Sequence, residues 1–144
     1  ALSLVGSEMC IRDSDNGERW QRMGDIGRVD EEGFVTLLGR SKDMIISGGF
    51  NIYPRDLEDA LLKQPEVADA AVIGIPSKEW GETPLGFVVG AGGETLDLPA
   101  VCARANAELG KTQRISALKQ LDELPRSHIG KILKTALREM VSET

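Results

Sequence analysis

Gly39-Arg40-Ser41-Lys42-Asp43-Met44-Ile45-Ile46-Ser47-Gly48-Gly49-Phe50-Asn51-Ile52-Tyr53-Pro54 packs three charges, a short apolar strand and a double glycine into one continuous stretch. A strand that only fills a sheet has no need of Arg-x-Lys-Asp before it or Gly-Gly-x-Asn after it. Such a mixture of chemistries reads as a moving or binding element beside a ligand. Met44 to Ile46 is expected to be a short strand. Pro54 suits the first turn of a helix, where its missing N–H costs nothing. Asp56, Glu58 and Asp59 then lie near the positive end of the helix dipole. Leu57, Ala60 and Leu61 recur at helical spacing, and Pro65 closes the helix by about Gln64.

Upstream, Gly27-Arg28-Val29 and Phe34 to Leu38 flank Asp30-Glu31-Glu32-Gly33, a turn cluster with glycine last, which predicts a β-hairpin. Ala1 to Ser14 shows neither helical nor strand periodicity, begins without methionine and looks like a translated sequencing adapter. We therefore expect residues 1–14 to be a non-native leader and leave them out of the fold argument. Downstream, Val67 to Ile75 and Leu85 to Val89 are β-rich runs separated by a polar loop from Pro76 to Pro84. Pro99, Val101, Ala105 and Leu109 predict an amphipathic helix ending at Gly110. Ile115 to Leu121 has the makings of a further strand. Leu133, Ala136, Leu137 and Met140 stripe a third helix. The expected class is α+β: a small β-hairpin followed by a compact mixed sheet packed with about three helices.

The chain has 144 residues, enough for one ordinary domain, and its 41% hydrophobic and 28% charged content describes a soluble globular protein. No apolar run approaches the roughly 20 residues of a membrane helix, so no transmembrane segment is expected. Cys10 and Cys102 form no CxxC and no Cys/His cluster, which points to a reducing cytoplasm and no zinc site. Net charge is −6, yet Arg104 to Arg138 carries eight Lys/Arg against three acids, a local +5 that leaves −11 elsewhere. That segment is either a set of solvated helix faces or a basic surface for a polyphosphate. An acidic chain with one basic segment is a poor nucleic-acid binder.

Two motifs mislead. Gly110-Lys111-Thr112 imitates the end of a phosphate-binding P-loop, but Ala105 stands where its first glycine belongs, and the segment follows a helix. Gly90-Ala91-Gly92 fails the dinucleotide fingerprint at Thr95. No triad-type motif surrounds Ser127 and His128. Asp25 can start the hairpin or accept hydrogen bonds from vicinal sugar hydroxyls. Arg40 taken alone is a surface charge or a ligand contact. Lys131 follows Gly130, which removes bulk beside an ammonium suited to phosphate oxygens.

Taken in order, Asp25, Gly39 to Asp43, Ser47 to Pro54 and Pro125-Arg126-Ser127-His128-Ile129-Gly130-Lys131 resemble the C-terminal domain of AMP-forming acyl-CoA synthetases. These belong to the adenylate-forming superfamily, with luciferases and peptide-synthetase adenylation domains. The resemblance runs from about Trp20 to Glu139. It implies that residues 15–41 end a larger domain up to a hinge and that 42–144 form a C-terminal lid. Asp25 and Arg40 match residues that bind ATP or AMP, Lys42 the hinge, and Lys131 the catalytic lysine of adenylation. Gly48 and Gly49 match a loop bordering the pantetheine tunnel. Trp80, in Pro76 to Glu82, and Arg114 match positions near the CoA nucleotide, although Lys111 to Ile115 departs from the commoner aromatic-basic-proline pattern there.

The resemblance further implies ATP and CoA as co-substrates, a carboxylic acid as acyl donor, and a larger N-terminal domain as partner. Magnesium is expected with ATP, with no ligands for it in this chain. The expected function is that of a catalytic lid fragment of an ATP-dependent acid–CoA ligase, inactive when isolated. The alternatives are a non-catalytic nucleotide- or CoA-binding or interaction module, or part of an adenylation domain that loads a carrier protein.

Overall fold

Residues 2–4, 12–15, 18–21 and 24–142 are described in the structure, a computed structural model. The chain divides into two compact units, Ala1–Met44 and Ile45–Thr144. In the first unit the strands are β1 (Leu2–Leu4), β2 (Arg12–Asp15), β3 (Glu18–Gln21), β4 (Asp25–Val29) and β5 (Val35–Arg40). They form an antiparallel sheet in the order β1-β4-β5 and a separate antiparallel pair β2-β3. Strands therefore occur within residues 1–14, where the sequence shows no period; runs of three or four residues are too short to display one.

The expected β4-β5 hairpin is present. Its turn is fixed by Asp30, whose Oδ1 accepts the backbone N–H of Glu32 at 3.0 Å and of Phe34 at 2.9 Å. The Asp30 backbone N–H donates to Phe34 O, and Gly33 donates to Asp30 O with φ +89, a backbone that favours glycine. The register slips between Ile26 and Gly27, so that Leu38 bulges out and Asp25 comes opposite Arg40. A 3₁₀ turn at Ser41–Asp43 follows, tied back by Ser41 N–H and Oγ–H to the Gly24 carbonyl.

The second unit contains β6 (Ile45–Ser47), β7 (Phe50–Ile52), α1 (Pro54–Leu62), β8 (Val67–Ser77), β9 (Gly81–Gly90), α2 (Leu98–Glu108), β10 (Ala117–Gln120) and α3 (Lys134–Ser142). Its centre is the long antiparallel pair β8-β9, matched from Val67↔Gly90 to Ser77↔Gly81. Along the other edge of β9, β10 runs parallel to Leu85–Val88 and β6 meets Gly81. The strands are longer than the β-rich runs suggest, and the loop between them shrinks to Lys78–Trp80. Pro84 is no obstacle within β9, because the chain there needs only its carbonyl, which accepts from Ser116 N–H.

Alternation along β8 and β9 divides the core between the two sheet faces. Ala70, Val72 and Val88 face α1 and α2, packing with Leu57, Leu61, Val101, Ala105 and Ile115. Ala71, Ile73, Leu85 and Phe87 face the other way, against Leu124 and Leu137 of α3. Both faces are covered, which is why Ala70 to Ile73 is an unbroken buried run. Proline at the first turn of α1 does what the sequence leads one to expect. α2 is capped by Asp97, whose Oδ1 accepts Ala100 N–H at 3.1 Å, and it ends before Gly110. Only Leu137 of the α3 stripe is buried; Leu133 and Met140 are 39% and 45% exposed.

Candidate functional site

In the first unit, Asp25 and Arg40 lie directly opposite each other on β4 and β5, with Arg40 Nε 3.5 Å from Asp25 Oδ1. Their side chains are 28% and 42% exposed, and an ion pair that wet contributes at most about 1 kcal/mol, so a ligand can separate them cheaply. Lys42 sits exposed in the 3₁₀ turn that follows.

In the second unit a cavity of about 420 Å³ opens between the β6-β7 hairpin, the end of the β8-β9 loop and the segment after α2. Gly48, Trp80 and Arg114 all line it, although the sequence separates them widely. The Gly48 N–H donates to Trp80 O at 2.9 Å, and the indole lies against the Gly48 backbone. A Cβ added there would stand 2.8 Å from Trp80 Cε3. Gly49 has φ +82 with open space around it and is not a lining residue.

The basic wall of the cavity is built by Asn106 of α2. Its Oδ1 accepts Ile115 N–H at 2.8 Å while its Nδ2 donates to Ile115 O at 3.0 Å. Ser116 reaches Pro84 O through both its N–H and its hydroxyl. The turn Gly110–Gln113 between these anchors presents Lys111, Thr112 and Arg114 to the cavity. No ion pair or hydrogen bond within the described residues engages the Lys111 or Arg114 side chains. Sequence reasoning missed Asn106 and Ser116 as neighbours of this site, and gave Lys111 and Thr112 no role beyond flanking Arg114. The failed P-loop resemblance drew attention away from Gly110 to Thr112, whereas the local basic excess pointed toward it.

Cys102 borders an adjoining groove between α2 and β10. Burial pushes its thiol above the ordinary value, partly opposed by a hydrogen bond from Asn106. It is therefore a poor nucleophile at neutral pH.

Lys131 is also in the second unit but does not line the cavity. It closes a five-residue turn: Ser127 N–H donates to Lys131 O at 2.7 Å, Gly130 N–H to Ser127 O at 2.8 Å, and Lys131 N–H to Ser127 Oγ at 3.2 Å. Gly130 takes φ +83 to allow this. The Lys131 ammonium is exposed and has no partner among the described residues. The described residues hold no group of three or more His, Cys, Asp or Glu arranged for a metal, and no helix long and apolar enough to cross a membrane.

A family model, the AMP-binding enzyme C-terminal domain, matches residues 56–131, just over half of the chain. The chain is 43% identical over 124 residues to the 2-succinylbenzoate–CoA ligase of Bacillus cereus, covering 86% of this chain and 25% of that protein. It is 41% identical to the long-chain-fatty-acid–CoA ligase FadD13 of Mycobacterium tuberculosis, covering 90% of this chain and 25% of that one. Among solved structures it resembles the o-succinylbenzoate CoA synthetase MenE of Bacillus subtilis in complex with the acyl-adenylate intermediate OSB-AMP. The TM-score there is 0.78 at 37% identity, covering 87% of this chain and 25% of that one. The chain thus spans about a quarter of the length of the curated relatives it matches.

Proposed function

The chain belongs to the AMP-binding enzyme C-terminal domain family, and from that premise we propose that it is the moving lid of an ATP-dependent acid–CoA ligase. The main support is the cavity that gathers Gly48, Trp80 and Arg114 from three separate segments. Its size falls within the usual range for small-molecule sites, roughly 300–1,000 Å³. An aromatic face beside two unpaired cations suits a purine nucleotide bearing phosphates, and the exposed Gly48-Gly49 backbone suits a slender thiol arm. This is the chemistry of CoA.

The proposed partners are a larger N-terminal domain, ATP, CoA and a carboxylic acid. In the first half-reaction a carboxylate oxygen bonds to the α-phosphorus while the bond to pyrophosphate breaks and its electron pair leaves with pyrophosphate. Two anions must approach, and the Lys131 ammonium between them offsets the repulsion and the charge that develops. Asp25 holds the ribose and Arg40 the adjoining nucleotide. After rotation at Lys42, the CoA thiol attacks the acyl carbonyl. Its proton passes to solvent, a C–S bond forms and AMP departs with the former anhydride oxygen. A few hinge residues suffice for such an exchange of faces. Lys131 serves only the first step, and the Trp80 cavity only the second.

That separation is the test. In the synthetase carrying this domain, Lys131→Ala lowers ATP–pyrophosphate exchange by about 10²–10³ and spares thioester formation from supplied acyl-adenylate. Trp80→Ala does the reverse, raising the KM for CoA with exchange intact. Parallel loss of both half-reactions in either variant overturns the assignment.

A further inference from the structure

The turn that carries Lys131 is tied down on both flanks, at one edge of one strand. Only Ile132 and Leu133 separate Lys131 from Lys134, the first residue of α3. Lys134 Nζ lies 2.8 Å from Glu58 Oε1 of α1, and the same oxygen accepts the backbone N–H of Val72 at 2.9 Å. Among the described residues β8 pairs only with β9, so its other edge carries unpaired N–H groups, and Glu58 satisfies that of Val72. α1 and α3 cover opposite faces of the sheet, so the pair reaches around the β8 edge. Both side chains are only about one-fifth exposed, 19% and 20%, where an ion pair is screened less than on an open surface. On the other flank Arg126 pairs with Asp69 of β8 and donates from Nη1 to Gly130 O at 2.6 Å.

We propose that Glu58 and Lys134 are positioning residues for Lys131, clamping its turn to β8 so that its unpartnered ammonium is presented in a fixed place. The proposal rests on the adenylation role given to Lys131 above. Neither Glu58 nor Lys134 touches substrate; both act through the turn. A merely structural pair would stabilise the whole unit and affect every activity alike, whereas a positioning pair acts on the step that uses Lys131. Misplacement of a reacting group by about 1 Å can cost on the order of 10²-fold.

The experiment has two arms. In the 144-residue chain, amide exchange at Ser127 and Gly130 is followed by NMR for wild type, Lys134→Met and Lys134→Arg. Lys134→Met speeds exchange at these two amides by about 10-fold through local opening, leaves β9 amides unchanged, and is reversed by Lys134→Arg. In the synthetase carrying this domain, Lys134→Met lowers the kcat of pyrophosphate exchange about 10-fold with thioester formation intact, and adds nothing to Lys131→Ala. Unchanged turn exchange, equal loss of both half-reactions or an additive double variant overturns the proposal. If Lys131→Ala itself spares pyrophosphate exchange, the role of Lys131 fails, whatever the amides of the turn report.

Discussion

Asp30 and Ser127 do the same work at two distant turns. Each opens a five-residue segment whose fourth residue is a glycine at positive φ, and each accepts from the fifth backbone N–H through its side-chain oxygen. Asp-Glu-Glu-Gly-Phe is legible as a turn because acids and glycine cluster between β-rich arms. Ser-His-Ile-Gly-Lys obeys the same rule, yet it is harder to read, since Ile129 interrupts the polar run and the arms beyond it are irregular. Asp25 and Arg40 are legible as candidates, but their direct opposition is not, because it depends on the bulge at Leu38. The paired glycines of the opening stretch, Gly48 and Gly49, differ in a measurable way. Gly49→Ala meets only backbone strain, about 1–2 kcal/mol for a side chain in the left-handed region. Gly48→Ala bears that strain and also drives its Cβ into Trp80. Urea unfolding should show Gly48→Ala as the less stable of the two by about 1 kcal/mol or more, the cost of overpacking.

Elements rather than residues explain most differences between the expected and observed architecture. β7 is absent from the sequence reading, because Phe50-Asn51-Ile52 is too short to show alternation and follows two glycines. β10 is legible only as a polar run beside Ile115, and its parallel pairing with β9 depends on a crossover through α2 that no local pattern reports. The apolar stripe of α3 correctly predicts a helix and the burial of Leu137, while Leu133 and Met140 remain accessible. β9 also holds two glycines whose packing is invisible in sequence. A Cβ on Gly86 would stand 2.5 Å from Leu118 Cδ2, the tip of a side chain that can swing away. On Gly90 it would stand 2.2 Å from the backbone carbonyl of Glu94, which cannot move without opening the turn at Ala91–Gly93. Gly90→Ala should therefore cost the greater stability, about 3 kcal/mol against about 1 for Gly86→Ala, read as the shift in denaturant midpoint.

Across the whole molecule, residues 45–144 contain both apolar clusters, the cavity and the Lys131 turn, whereas Asp25 and Arg40 belong to the preceding unit. The relatives are roughly three and a half times as long, since 124 aligned residues make up 25% of one of them, and among the described residues the chain offers an exposed cation and a cavity of about 420 Å³ but nothing read as an acyl pocket. The isolated chain should therefore give no ATP–pyrophosphate exchange; any exchange above background counts against the lid assignment. The sequence makes the family readable because four short motifs keep their order, while the architecture of the cavity depends on contacts between segments more than 20 residues apart in the chain.

The open edge of β8 has one more consequence, for how copies of this protein behave beside each other. Eleven residues of largely apolar strand with one side unpaired would ordinarily invite another strand to add, the first step of aggregation. Glu58, Lys134, Asp69 and Arg126 fill that edge with paired charges and wrap it from both faces. Glu58 takes the Val72 N–H out of that row and the two ion pairs set charge across the edge, and both work against the addition of a strand from a second copy.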